Sequence, residues 1–82
     1  MSRNEYEKKI EELGINLKRL RIVIGEKTIV PYSTGCYCEG DKWFLYSVGE
    51  RQNLTVTDEG TEEEIFKYLF MITLGKHEEY YR

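Results

Sequence analysis

Residues 35–57 read GCYCEGDKWFLYSVGERQNLTVT, and their pattern decides the fold. Glu39-Gly40-Asp41-Lys42 has glycine at the first central position of a two-residue hairpin, where a type II′ turn needs a positive φ. That turn sets Cys38 opposite Trp43, Tyr37 opposite Phe44 and Cys36 opposite Leu45. A second turn at Gly49-Glu50-Arg51-Gln52, with Glu50-Arg51 central, sets Leu45 opposite Val56 and Ser47 opposite Leu54. The two registers agree. One sheet face then collects Cys36, Cys38, Trp43, Leu45, Leu54 and Val56. The other collects Tyr37, Phe44, Tyr46, Val48, Thr55 and Thr57.

Both flanks read as helix. Ser2-Arg3-Asn4-Glu5 is a capping box, in which the Ser2 hydroxyl and the Glu5 carboxylate each accept from the other's backbone N–H. Tyr6, Ile10 and Leu13 follow as one helical stripe, and Gly14 supplies a stop, so the spacing predicts a helix over residues 3–13. Thr61-Glu62-Glu63-Glu64 is a second capping box. Its helix is expected to run through Leu74 and stop at Gly75, leaving one domain over residues 1–77 and a loose tail over 78–82. Ile65, Phe66, Tyr68, Leu69, Phe70, Met71, Ile72 and Leu74 leave that helix little polar surface. A helix apolar nearly all round is covered on more than one side, by a central position or by a partner chain.

Residues 20–32 read as strand material, because Leu20, Ile22 and Ile24 alternate with Arg21 and Val23. Gly25-Glu26-Lys27 interrupts them as a turn, and residues 28–32 fit either a strand or a loop before Pro31 ends regular pairing. The expected architecture is α+β. It has an N-terminal helix, an antiparallel β-meander of three or four strands, and a C-terminal helix. Both helices pack on the Cys36/Trp43/Leu45 face.

Size and charge narrow the function. With 82 residues, 40 % hydrophobic and 33 % charged, the chain holds one soluble domain with one small core. The longest apolar stretch, Ile65 to Leu74, contains Lys67 and is about half a membrane span. No apolar run follows the first charged residues, which predicts a cytoplasmic protein without a signal peptide. Residues 1–30 carry seven basic and five acidic side chains, net +2; residues 31–82 carry five and ten, net −5. An acidic balance disfavours nucleic acid as a general partner.

Chemical motifs are sparse. Cys36 and Cys38 are two thiols at strand spacing, half of a zinc site, but His77 is the single histidine and there is no second cysteine pair. They read as core packing, with no cofactor. Lys18, Arg19 and Arg21 read as a solvated edge. No nucleophile–base set and no phosphate-binding glycine loop is present, so the chain is not expected to be an enzyme. A binding surface is expected instead. Tyr37, Phe44 and Tyr46 form the sheet face left after the core is assigned, either exposed or covered by a second layer. Asp58, Glu59, Glu62 and Glu63, from a run of five carboxylates in seven residues, form an acidic edge that would steer a basic partner. The apolar last helix also offers a surface for a homodimer.

Lys42-Trp43-Phe44-Leu45-Tyr46-Ser47-Val48-Gly49-Glu50-Arg51, followed by Thr61-Glu62-Glu63-Glu64-Ile65-Phe66-Lys67-Tyr68-Leu69, resembles small immunity proteins of bacterial polymorphic-toxin systems. The resemblance implies a helix, a β-meander and a Glu-started helix. It also implies a non-enzymatic protein that binds and blocks a co-encoded toxin. The alternative is a small oligomeric scaffold protein of a phage or mobile element, without a toxin partner.

Overall fold

The computed structural model describes residues 1–80. The chain order is α1 (Arg3–Glu12), β1 (Ile22–Ile24), β2 (Thr34–Glu39), β3 (Lys42–Val48), β4 (Leu54–Gly60) and α2 (Glu62–Tyr80). This is the expected α+β layout. Both capping boxes form. At α1 the Ser2 Oγ accepts from Glu5 N and the Glu5 carboxylate from Ser2 N. At α2 the Thr61 Oγ1 accepts from Glu64 N and the Glu64 carboxylate from Thr61 N.

The four strands lie in the order β1-β2-β3-β4. The first hairpin has the expected register, with Cys38 opposite Trp43, Tyr37 opposite Phe44 and Cys36 opposite Leu45. Gly40 takes the turn with φ of +68°.

The second hairpin differs. Gly49 N donates to Asn53 O at 3.0 Å, leaving Glu50, Arg51 and Gln52 between them. A three-residue loop needs its last residue in the left-handed region, and Gln52 adopts φ of +64°. The extra residue shifts the pairing by one, so Leu54 faces Val48, Thr55 faces Ser47 and Val56 faces Tyr46. Leu54 and Val56 thereby leave the core face. A bulge then skips Thr57, whose hydroxyl donates to Leu45 O at 3.3 Å, and Asp58 faces Leu45.

The meander expectation also fails at the first strand. Of residues 20–32 only Ile22–Ile24 pair, and they run parallel to β2, with Ile22 beside Thr34 and Ile24 beside Cys36. The sheet is mixed. Residues 28–32 form no strand; the connection between β1 and β2 crosses the outer side of the sheet as a loop.

Gly75 does not stop α2, which continues to Tyr80. Glycine weakens a helix interior by up to about 1 kcal/mol but leaves its hydrogen bonds intact. Residues 78–80 of the expected tail are therefore helical, and Tyr81 and Arg82 lie outside the described residues.

The core sits on the inner face. It joins Tyr6 and Ile10 of α1, Ile65, Phe66 and Leu69 of α2, and Ile22, Cys36 and Leu45 of the sheet, with Ile15 and Leu20 from the connection. Phe66 is its centre, with ring centroids 5.4 Å from Tyr6 and 5.0 Å from Trp43. The Tyr6 hydroxyl meets Thr73 Oγ1 at 2.8 Å, and Thr73 in turn donates to Leu69 O, so both buried hydroxyls are satisfied.

Candidate functional site: the outer face of the sheet

Cross-strand pairing fixes which residues look outward. Gly35, Tyr37, Phe44, Tyr46, Val48, Leu54, Val56 and Glu59 share the face opposite the helices. Its centre is the row where Gly35 faces Tyr46. A side chain at Gly35 would overlap Val23 O, and its Cβ would stand 2.7 Å from the Tyr46 hydroxyl oxygen. The absent side chain lets the Tyr46 ring lie across β2, where its hydroxyl donates to Glu26 O at 2.7 Å. Residues 25–33 run over this row. Gly25 N donates to Cys36 O at one end, and Tyr32 N donates to Val48 O at the other.

Tyr46 is consequently fully buried and drops out of the expected aromatic surface. Burial pushes its hydroxyl pKa up to about 12. Tyr37 and Phe44 remain half-buried and stacked, centroids 5.1 Å apart with planes at 19°. The Lys27 ammonium lies 4.7 Å from the Tyr37 ring centroid and 3.8 Å from a Glu39 carboxylate oxygen. The loop that covers Tyr46 adds apolar surface of its own, with Ile29 at 60 %, Val30 at 53 % and Tyr32 at 57 % exposure. Val56, moved outward by the register shift, is also exposed on this face of the sheet. These four residues were missed by the sequence reading. The available signal was three large apolar residues around Pro31 with no alternation to bury them.

The acidic run does not form one edge. Glu59 shares the outer face with its neighbour Phe44, whereas Asp58 pairs with Leu45 and belongs to the inner register. Glu62 and Glu63 are engaged within the chain. A Glu62 carboxylate oxygen accepts from Arg3 N at 3.0 Å, and Glu63 Oε2 lies 2.6 Å from the Met1 amino group. They join the start of α1 to the start of α2.

The remaining reactive groups are dispersed. Cys36 is buried in the core, and burial pushes its thiol pKa up to about 11. Cys38 is exposed near the hairpin, its thiol 3.4 Å from Gly40 O. Among the described residues no three His, Cys, Asp or Glu side chains converge as a metal site. Arg19 and Lys76 line an open cleft with Leu20, Glu79 and Tyr80, while the Arg21 guanidinium donates to Pro31 O at 3.3 Å. Burial, then Arg21, lowers the Lys76 pKa from its ordinary value, and Glu79 opposes them. No helix among the described residues is long and apolar enough to cross a membrane.

Compared with protein families, curated proteins and solved structures, the chain matches none.

Proposed function

We propose that the chain is a non-enzymatic protein-binding module of the immunity type, which occludes a basic toxin domain with the outer face of its sheet. The observation that supports this reading is the loop-and-sheet surface of Ile29, Val30, Tyr32, Val56 and the Tyr37–Phe44 stack, bordered by Glu59, while Glu39 is already paired with Lys27. Exposed apolar residues gathered on one face, as opposed to scattered singly, mark a contact surface. Rigid rings contribute contact area at little ordering cost. The Glu59 carboxylate at the border would orient a cationic partner and speed its approach.

Co-expression with the product of the neighbouring gene, followed by co-purification, tests the reading directly. Phe44→Ser with Ile29→Ser should mainly speed dissociation, and Glu59→Lys should mainly slow association and weaken its salt dependence. Binding that survives all three changes in folded protein would sink the proposal. If the apolar changes alter only the oligomeric state, the scaffold reading replaces it.

A further inference from the structure

α2 carries an outward stripe that neither α1 nor the sheet covers. Lys67, Tyr68, Met71, Leu74, Gly75 and Glu78 are all exposed, at spacings of three and four that align them along one side of the helix. Met71 is 63 % exposed. Gly75 is the odd member. Helix interiors disfavour glycine, yet a Cβ at Gly75 would meet no atom of the described residues within 4 Å, so none of them requires its absence. Charge is ordered along the stripe, with a cation at Lys67 and an anion at Glu78, while Glu64, one turn before Lys67, is held by Thr61 at the helix cap. Neither Lys67 nor Glu78 is in an ion pair among the described residues.

We propose that this stripe is the contact surface between two copies of the chain, paired through antiparallel α2 helices about a two-fold axis. In such an interface every contact occurs twice with the roles exchanged. An axis midway between Lys67 and Glu78 sets Lys67 of each copy against Glu78 of the other, and Met71 against Leu74. The bare backbone at Gly75 permits close approach and receives the Tyr68 ring of the second copy. A parallel pairing would oppose like charges at both ends. An unrelated partner has no need of a charge order that complements itself, whereas a second copy of the chain does. The stripe is about 16 Å long at 1.5 Å per residue. A contact confined to one short helix stripe belongs with small, transient interfaces, so the dimer should dissociate on dilution. The outer sheet face lies on the other side of the domain and stays open, so this pairing does not depend on the proposed partner.

Sedimentation velocity over roughly three decades of concentration, from micromolar upward, tests it. The wild-type chain should pass from monomer to dimer. Lys67→Glu should raise the dimer dissociation constant at least about tenfold, and adding Glu78→Lys to it should restore pairing. Gly75→Gln should move two readouts in opposite directions: the melting temperature rises because the helix gains a better former, while dimerisation weakens because close approach is blocked. A wild-type monomer at every concentration overturns the proposal. So does failure of the double exchange to restore pairing in protein with native circular dichroism, or a Gly75→Gln chain that pairs as well as wild type.

Discussion

The two faces of the sheet are closed by different means. On the inner face, two helices set Tyr6, Phe66 and Leu69 against Cys36 and Leu45, and the closure rests on many apolar contacts. On the outer face, the loop of residues 25–33 is held by a few directional bonds, from Gly25 to Cys36, Tyr46 to Glu26 and Tyr32 to Val48. The first closure buries its apolar residues. The second covers one ring, Tyr46, and leaves Ile29, Val30 and Tyr32 in water. A surface that keeps apolar side chains exposed and still has a defined shape must take that shape from hydrogen bonds and steric gaps. Binding surfaces carried by loops on a rigid scaffold have this character.

The contrast can be broken most severely from the inside. Phe66→Ala should cost roughly 3–5 kcal/mol, the range for a fully buried aromatic. A domain of this size has about 4–12 kcal/mol in total. The variant should lose most of its urea resistance, and a midpoint near wild type would place the core elsewhere. From the outside, Gly35→Ala should cost about 1–3 kcal/mol by overpacking, because a methyl group there collides with Val23 O and the Tyr46 hydroxyl. Faster proteolysis within residues 25–33 should accompany the loss. An unchanged protease pattern would show that Tyr46 does not hold the loop.

Two matched substitutions sharpen the comparison. Tyr6→Phe and Tyr46→Phe each remove one buried hydroxyl bond and should each cost about 0.5–1.5 kcal/mol. Amide exchange in residues 25–33 should quicken only in the Tyr46 variant, which hydrogen-exchange mass spectrometry can read. Both hydroxyls have pKa values raised from 10.0 to about 12, and Cys36 from 9.0 to about 11, in each case mainly by burial. A raised pKa favours the neutral form in the folded state. The resulting stability is complete below the unfolded value and is lost as pH rises through the folded one. Urea midpoints should hold steady up to pH 9.0 and decline toward pH 12, and each Phe variant should decline less. The smallest effect is expected at Cys38, which stands outside the core cluster. Cys38→Ser should stay within about 0.5 kcal/mol of wild type. In the native protein a thiol reagent should label Cys38 quickly and Cys36 only on unfolding.

The parts of the fold that were legible in the sequence are those decided within four residues. Ser2 to Glu5 and Thr61 to Glu64 define their helix starts locally, and Gly40 selects its turn without outside help. The parts that were not legible depend on choices a sequence leaves open. Gln52 tolerates the left-handed region at some cost, so nothing in Gly49-Glu50-Arg51-Gln52 announces a three-residue loop. That one conformation moved Leu54 and Val56 to the other face. The parallel pairing of Ile22–Ile24 is long-range and has no local signature. The gap at Gly35 acquires meaning only once Tyr46 is known to lie opposite. Of the expected binding residues, Tyr37, Phe44 and Glu59 share the outer face. Tyr46 does not reach the surface, because the gap at Gly35 lets the loop backbone at Glu26 close over its ring beside Tyr37.

The skipped residue at Thr57 has a further consequence, for solubility. β4 is an edge strand, and Leu54-Thr55-Val56-Thr57 is an uncharged segment of high strand propensity, the kind that templates the growth of a sheet from chain to chain. The irregularity divides this edge into two runs of three residues, Leu54 to Val56 and Asp58 to Gly60, whose free N–H and C=O groups are out of phase. An incoming strand that matches one run misses the other, and the second run presents Asp58 and Glu59 as well. The bulge thus protects an edge that its composition alone would leave open to sheet growth.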